Sequence, residues 1–215
     1  MAVIMTQLSL KMGLKTWKDK GRLAAKDEMK QLHMHNTFIP NHYKYLDVVQ
    51  RKSILESHMF LKENKNGYIK GRTFDGGNKH RDFISKEDSS LPTVSTEAVL
   101  LSCIIDAEEE PDVAVIDILN AFIQTIVENE KDMDYIRVRG VLVELLIEIA
   151  SDVYGPYVKL DKKGNKVLIL QCLNAIYKTM VASLLYYNKF CRTLKRNNFV
   201  INPYNRCTAN RMVDG

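Results

Sequence analysis

The run Val113-Ala114-Val115-Ile116 ends in a carboxylate, Asp117, and the pattern turns helical shortly after it. Four apolar residues in succession predict a strand over 113–117 buried on both faces. A strand that ends in an acid holds that acid on a rigid element, a common arrangement for a metal-binding carboxylate. A short helix is predicted over 120–127. The rest of the chain does not repeat this strand-helix unit, so a regular doubly wound sheet is excluded.

The other elements are read from period and punctuation. Residues 15–34 predict a charged helix with Trp17, Leu23, Met29 and Leu32 on or near its apolar side. Residues 36–45 contain Pro40 and read as a linker. Asp47-Val48-Val49-Gln50 has the spacing of a capping box and predicts a short helix reaching about His58. Residues 59–74 predict a β-hairpin turned by Asn66-Gly67, a pair that tolerates the positive φ such turns need. Ser95 is placed to cap a helix whose positions 98–107 are apolar nearly all round, which predicts burial. Cys103, inside that run, is expected to be a buried thiol. Strands are predicted over 135–139, 157–160 and 167–172, the last two joined by a turn over 162–165. Residues 141–150 predict an amphipathic helix, and 181–196 a long one mixing aromatics and bases. The sum is an α+β fold with hairpins. Residues 1–45 form an N-terminal helical segment and linker, and 46–215 the main unit.

Charge sharpens the reading. The net charge is only +5, with 46% hydrophobic and 27% charged residues, which are globular values. Yet residues 51–81 hold eight Lys or Arg against three acids, and 186–211 hold six and none. Five acids fall in the seven positions from Asp106 to Asp112. Two basic segments around an acidic middle suit a polyanion bound beside a metal site, and equally suit solvated helix faces and loops. The four cysteines are far apart and the five histidines lack partners at ligand spacing, which argues against zinc and against a disulfide framework. No run is long and apolar enough to span a bilayer, and the expected setting is soluble, intracellular and reducing, with no membrane partner.

Several longer stretches resemble one family. Asp117-x-x-x-Ala121-Phe122 is similar to the first catalytic motif of reverse transcriptases. The sequence from Met59 to Glu63 followed by Gly67 to Arg72 resembles the fingers hairpin of copia-type retrotransposon enzymes. Residues 85–98 are very like the segment that precedes the first motif there, and Asn174-Ala175-Ile176-Tyr177-Lys178 resembles a stretch usually read Lys-Ala-Leu-Tyr-Gly. Residues 199–204 and 210–215 resemble the approach to the second catalytic motif. The resemblance covers about Leu14 to Gly215. Matches in one order are more specific than any single motif.

The resemblance implies fingers and an incomplete palm, cut before the second catalytic Asp pair. It implies an RNA-directed DNA polymerase ancestry, with an RNA or DNA template-primer and deoxynucleotide triphosphates as partners and Mg²⁺ as cofactor. Asp117 would be the catalytic and metal-binding residue. Lys70, Arg72, Asn120 and Phe122 would meet the nucleotide, with Phe122 under the sugar. Arg81, Tyr177 and Lys178 would meet the template-primer. Two-metal chemistry needs clustered hard oxygens, and one Asp supplies too few. The expectation is therefore little or no polymerase activity from this chain alone, unless the missing downstream half of the polyprotein joins it. The departures are Lys178 where the family has Gly, which removes room for a close backbone approach, and Asn174 where it has Lys. Two other readings stay open. One is a non-catalytic nucleic-acid-binding protein that uses the basic segments, with Tyr68, Phe74, Tyr186 and Tyr187 available for stacking. The other is a relic without function.

Overall fold

The computed structural model describes residues 7–75, 92–109, 112–129, 133–176 and 182–212. The described chain opens with β1 (Gln7–Ser9) and α1 (Leu10–Met34), the latter kinked at Lys18, whose φ is 45°. Then come β2 (Phe38–Asn41), a single 3-10 turn over Tyr43–Tyr45, and α2 (Val48–Ser53). The hairpin strands β3 (Leu55–Glu63) and β4 (Ile69–Asp75) follow, and then α3 (Thr96–Glu109). The central part contains β5 (Tyr135–Arg139), α4 (Val141–Ile149), the single turn α5 (Ser151–Tyr154), β6 (Lys159–Leu160) and β7 (Lys166–Cys172). The described chain ends with α6 (Ala182–Arg196), β8 (Val200–Ile201) and β9 (Ala209–Asn210).

The main sheet has the order β1-β3-β5-β7-β2, with β4 also on β3 and β6 also on β7. All pairs are antiparallel except β3 with β5. One edge of β7 takes β5, with Ile136 opposite Leu170. Its other edge is shared end to end by β2 and β6. Alternation along each strand then divides the sheet into two faces. Leu55, Met59, Leu61, Ile69, Ile136, Val138, Leu168, Leu170 and Cys172 turn inward. They join Ala24, Ala25, Met29 and Leu32 of α1 and Leu142, Val143, Leu145 and Leu146 of α4 in one core. The outer face carries Glu56, Phe60, Lys62, Lys70, Arg72, Arg137, Arg139, Val167 and Ile169. A second, small cluster of Leu46, Ile54, Tyr135 and Ile169 covers part of that face.

Several local signals of the sequence recur in the fold. Gln50 N–H donates to Asp47 Oδ1 (2.8 Å) and Asp47 N–H to Gln50 Oε1 (2.9 Å), completing the capping box of α2. The Asn66-Gly67 turn closes the β3–β4 hairpin with Gly67 at φ 75°. The turn over 162–165 joins β6 to β7. Others differ. Residues 36–45 hold a paired strand, β2, and α1 belongs to the same core as the sheet. Asp47 starts a helix that stops at Ser53, because β3 begins at Leu55.

Three corrections concern the region around Asp117. Residues 113–117 have no regular secondary structure, and Val115 is 97% exposed. A strand exists only when a neighbour takes its backbone hydrogen bonds, and among the described residues none pairs with this run. Helix α3 forms as predicted, but none of its residues is buried, and Cys103 is exposed rather than enclosed. No other described element packs broadly against it. Residues 119–125 form turns in place of a helix.

Helix α1 lies unusually close to β4. A Cβ on Gly71 would sit 2.8 Å from Ala24 O, so only glycine fits there. Beside it, the half-buried Glu28 accepts a hydrogen bond from Thr73 N–H (2.9 Å) and satisfies the edge of β4. At the other end, Tyr154 is fully buried and its hydroxyl lies 2.8 Å from His33 Nδ1. Burial pushes the Tyr154 phenol up to about 12, so it stays protonated at neutral pH.

Gly71→Ala is expected to cost about 1–3 kcal/mol of stability in a urea melt, the usual penalty for overpacking against an unyielding backbone. Burial raises the Glu28 carboxyl above its ordinary 4.5, against the lowering pull of Thr73, Lys70 and Arg72. A raised folded value means stabilisation that is full below the unfolded value and is lost as pH rises through the folded one. Glu28→Gln keeps an acceptor for Thr73 N–H and removes that loss. Its stability relative to wild type should therefore climb as pH rises from 4.5; a difference that stays flat with pH refutes this account.

Candidate functional site

The predicted site residues fall in two places. Lys70 and Arg72 stand on the outer face of β4, both exposed. Lys70 is the direct cross-strand partner of Lys62, and Arg72 that of Phe60. Like charges directly opposite on antiparallel strands repel and weaken the pair. Placing them there makes a fixed cationic strip on a rigid hairpin. Glu28 feels both Lys70 and Arg72 from β4's edge. Tyr68 lies at the hairpin tip, 54% exposed.

Asp117, Asn120 and Phe122 lie in the second place, the segment from 112 to 128. Asp117 is exposed on an unpaired stretch. Asn120 has φ 56°, the left-handed region that Asn tolerates better than most residues, and its carbonyl accepts from Gln124 N–H (3.2 Å). Its side chain does not cap a helix, because none starts there. Phe122 packs edge-on against Tyr186 of α6 with centroids 6.0 Å apart, and Tyr186 stacks on Phe190. Tyr187 donates to Arg206 O (2.9 Å). The aromatic rings of α6 therefore serve packing. Arg81, Tyr177 and Lys178 lie outside the described residues, as does the side chain of Phe74.

Asn174 is a residue whose role the sequence concealed. It is buried, and its Nδ2 donates to Ile123 O (2.6 Å) and to His35 O (3.3 Å). Val127 N–H donates to Leu173 O, and Ala175 N–H to Thr125 O, both at 2.8 Å. These bonds fasten the segment after Asp117 to the end of β7. Helix α6 adds Lys189 to Gln124 O and Arg192 to Glu128 (2.8 Å). The only sequence signal was a short amide at a position where the family that the chain resembles carries Lys.

Asp117 fits a Mg²⁺ ion poorly. Among the described residues no group of three or more His, Cys, Asp or Glu side chains is placed to hold a metal ion. An exposed acid on an unpaired segment also lacks the fixed neighbours that a hard cation needs. No helix among the described residues is long and apolar enough to cross a membrane.

A cavity of about 660 Å³ lies elsewhere, on the outer face of the sheet. It is floored by Val167 and Ile169 and walled by residues 41–44 and the β6–β7 hairpin. At its edge Arg137 binds Glu56 (2.7 Å), and Arg139 bridges Glu56 and Asp161 (3.1 Å each). Burial pushes Glu56 upward, but bonds from Arg139 and Arg137 outweigh it and hold the carboxyl below its ordinary range. No protein-family model, curated protein or solved structure matches the chain.

Asn174→Ala should leave Ile123 O without its donor, at a cost of about 1–3 kcal/mol. Amide hydrogen exchange at Val127 and Ala175 should accelerate while the core of β7 stays protected. Unchanged exchange at both amides would show that Asn174 does not fasten this segment.

Proposed function

We propose that this chain is a nucleic-acid-binding unit of reverse-transcriptase descent, of the copia type. It holds strands on its sheet rather than carrying out nucleotidyl transfer by itself. One observation carries the reading: Lys62 faces Lys70 across the β3–β4 pair, and Arg72 follows on the same face. A fold accepts such repulsion most readily where an anion relieves it, and a phosphate backbone supplies anions at regular spacing. Phe60 beside Arg72 adds an aromatic surface to the strip. The motif around Asp117 ties the unit by resemblance to RNA-directed DNA polymerases that use Mg²⁺ and deoxynucleotide triphosphates. The carboxylate's isolation supports placing that chemistry outside what this chain achieves alone.

A second reading, a relic that does not persist as a monomer, is favoured by the apolar side chains exposed on α3 and over 113–119. Such a patch promotes association. A cooperative melt at a monomeric mass in solution would count against it.

The test is fluorescence anisotropy with a primed template over a range of salt. The affinity should fall steeply with salt. Lys70→Ala with Arg72→Ala should lower the slope of log affinity against log salt by about two, near 0.9 for each phosphate that is no longer neutralised. Asp117→Ala should leave binding unchanged, and primer extension in Mg²⁺ should stay at background. A slope that the double variant does not change sinks the strand-binding reading. Extension that Asp117→Ala abolishes would instead make the chain a polymerase in its own right.

A further inference from the structure

The outer-face cavity has the composition of a ligand site that the cationic strip on the hairpin does not explain. At about 660 Å³ it falls within the range of small-molecule pockets. Its floor is aliphatic, from Val167 and Ile169. One wall is aromatic: His42 stacks on Tyr157 with centroids 4.5 Å apart and planes at 30°, and Tyr43 stands beside them, 48% exposed. Arg51 covers one face of the Tyr43 ring at 5.0 Å. The rim is basic, with Lys44, Lys159 and Lys162.

The charges on this rim are not equivalent. Arg137 and Arg139 are already committed to Glu56 and Asp161. Asp161 is committed too. Its Oδ1 accepts from Lys163 N–H (2.8 Å) and Asn165 N–H (2.9 Å), and those bonds, with Arg139, hold its carboxyl below the ordinary range. The acids at the site are thus engaged in fixing the turn and the arginines. Lys159 and Lys162 have no acidic partner within 4 Å among the described residues, and they border an apolar hole. An apolar floor, a flat aromatic wall and unopposed ammonium groups at the mouth match a ligand with a planar apolar part and an anionic part.

We propose that this pocket binds one unstacked nucleotide unit, with the base against the floor and aromatic wall and the phosphate at Lys159 and Lys162. The unit could come from a single strand or from a free nucleotide, since both present the same base and phosphate. The pocket shares a sheet face with the cationic strip but none of its residues.

The test uses the full chain and fluorescence anisotropy with a short oligothymidylate and an abasic strand of equal length. Both carry the same phosphates, so a base-binding pocket must favour the thymidylate, by about tenfold if one base is stacked. Tyr43→Ala should abolish that preference and leave abasic binding unchanged, while Tyr43→Phe, which keeps the ring, should retain it. Lys159→Ala with Lys162→Ala should weaken the thymidylate. All these side chains are exposed, and circular dichroism confirms folding. Competition by thymidine monophosphate at concentrations near the oligonucleotide's own would assign the pocket to free nucleotides, and its failure to compete would assign it to strands; both outcomes uphold the base site. The Lys70→Ala, Arg72→Ala variant should lose overall affinity and keep the base preference, so the two sites fail separately. Equal binding of abasic and thymidylate strands, or a Tyr43→Ala variant that still distinguishes them, overturns the proposal.

Discussion

Helix α1 must come within backbone contact of β4, and the rest of the sheet is arranged around that approach. Gly71 allows it by having no Cβ to strike Ala24 O. Ala24 and Ala25 keep the helix side equally small. Once α1 is seated, Glu28 reaches the edge of β4 and Leu61 fills the space beneath the first turns. The same helix then meets α4, where Arg22 and Lys26 clasp Glu148 at the surface, a pair of bridges that orients more than it stabilises. One face of the sheet is thereby consumed by helices. By strand alternation every other residue is committed to the opposite face, whatever its chemistry.

That second face carries the residues of both proposed binding surfaces. Among the described residues it receives the small cluster around Leu46 and Ile54, pinned by Gln50 Nε2 donating to Tyr135 Oη (3.3 Å). The uncovered remainder carries the cations of β4 and β5 and the floor of the cavity. A solvated sheet face needs polar side chains, and alternating polar positions satisfy that need alone. What goes beyond it is the placement: a lysine facing a lysine across β3 and β4, and an aliphatic floor under a basic rim. Both are the sort of local conflict that folded sequences keep where something binds.

The sequence announces its elements far better than their partners. The capping box at Asp47, the Asn66-Gly67 turn, the strand 135–139 and the amphipathic helix after it depend on neighbours within a few residues, and all are present. Strand β2 escapes such a reading because Pro40 suggests a break. Pro40 is tolerated there because β2 lies at the sheet's edge, bonded only to β7. The pocket is equally hidden, since His42 and Tyr157 lie far apart in the chain and meet only through β7. The run 113–117 fails in the opposite direction. Its residues suit a buried strand, but burial and pairing are properties of what lies alongside, and a period of apolar residues cannot state who that neighbour is.

Asp117 shows why the distinction bears on function. A catalytic carboxylate contributes by being held in place before the reaction, on an element whose own bonds are complete. Among the described residues, the segment bearing Asp117 is anchored downstream, through Asn174, Val127 and Ala175 and through contacts with α6. Upstream lies α3, against which no other described element packs broadly. Lys62, Lys70 and Arg72, by contrast, sit on strands paired over seven consecutive positions and backed by α1. On the proposed reading, strand recognition would draw on the paired sheet and its helices, and bond making on a segment that no described strand pairs. The second would need a neighbour able to pair with 113–117 and bring further oxygens within reach of a metal. Such a neighbour would bury the apolar residues exposed on that run, so pairing the strand and assembling any metal site beside Asp117 would be one event, driven by the same apolar burial.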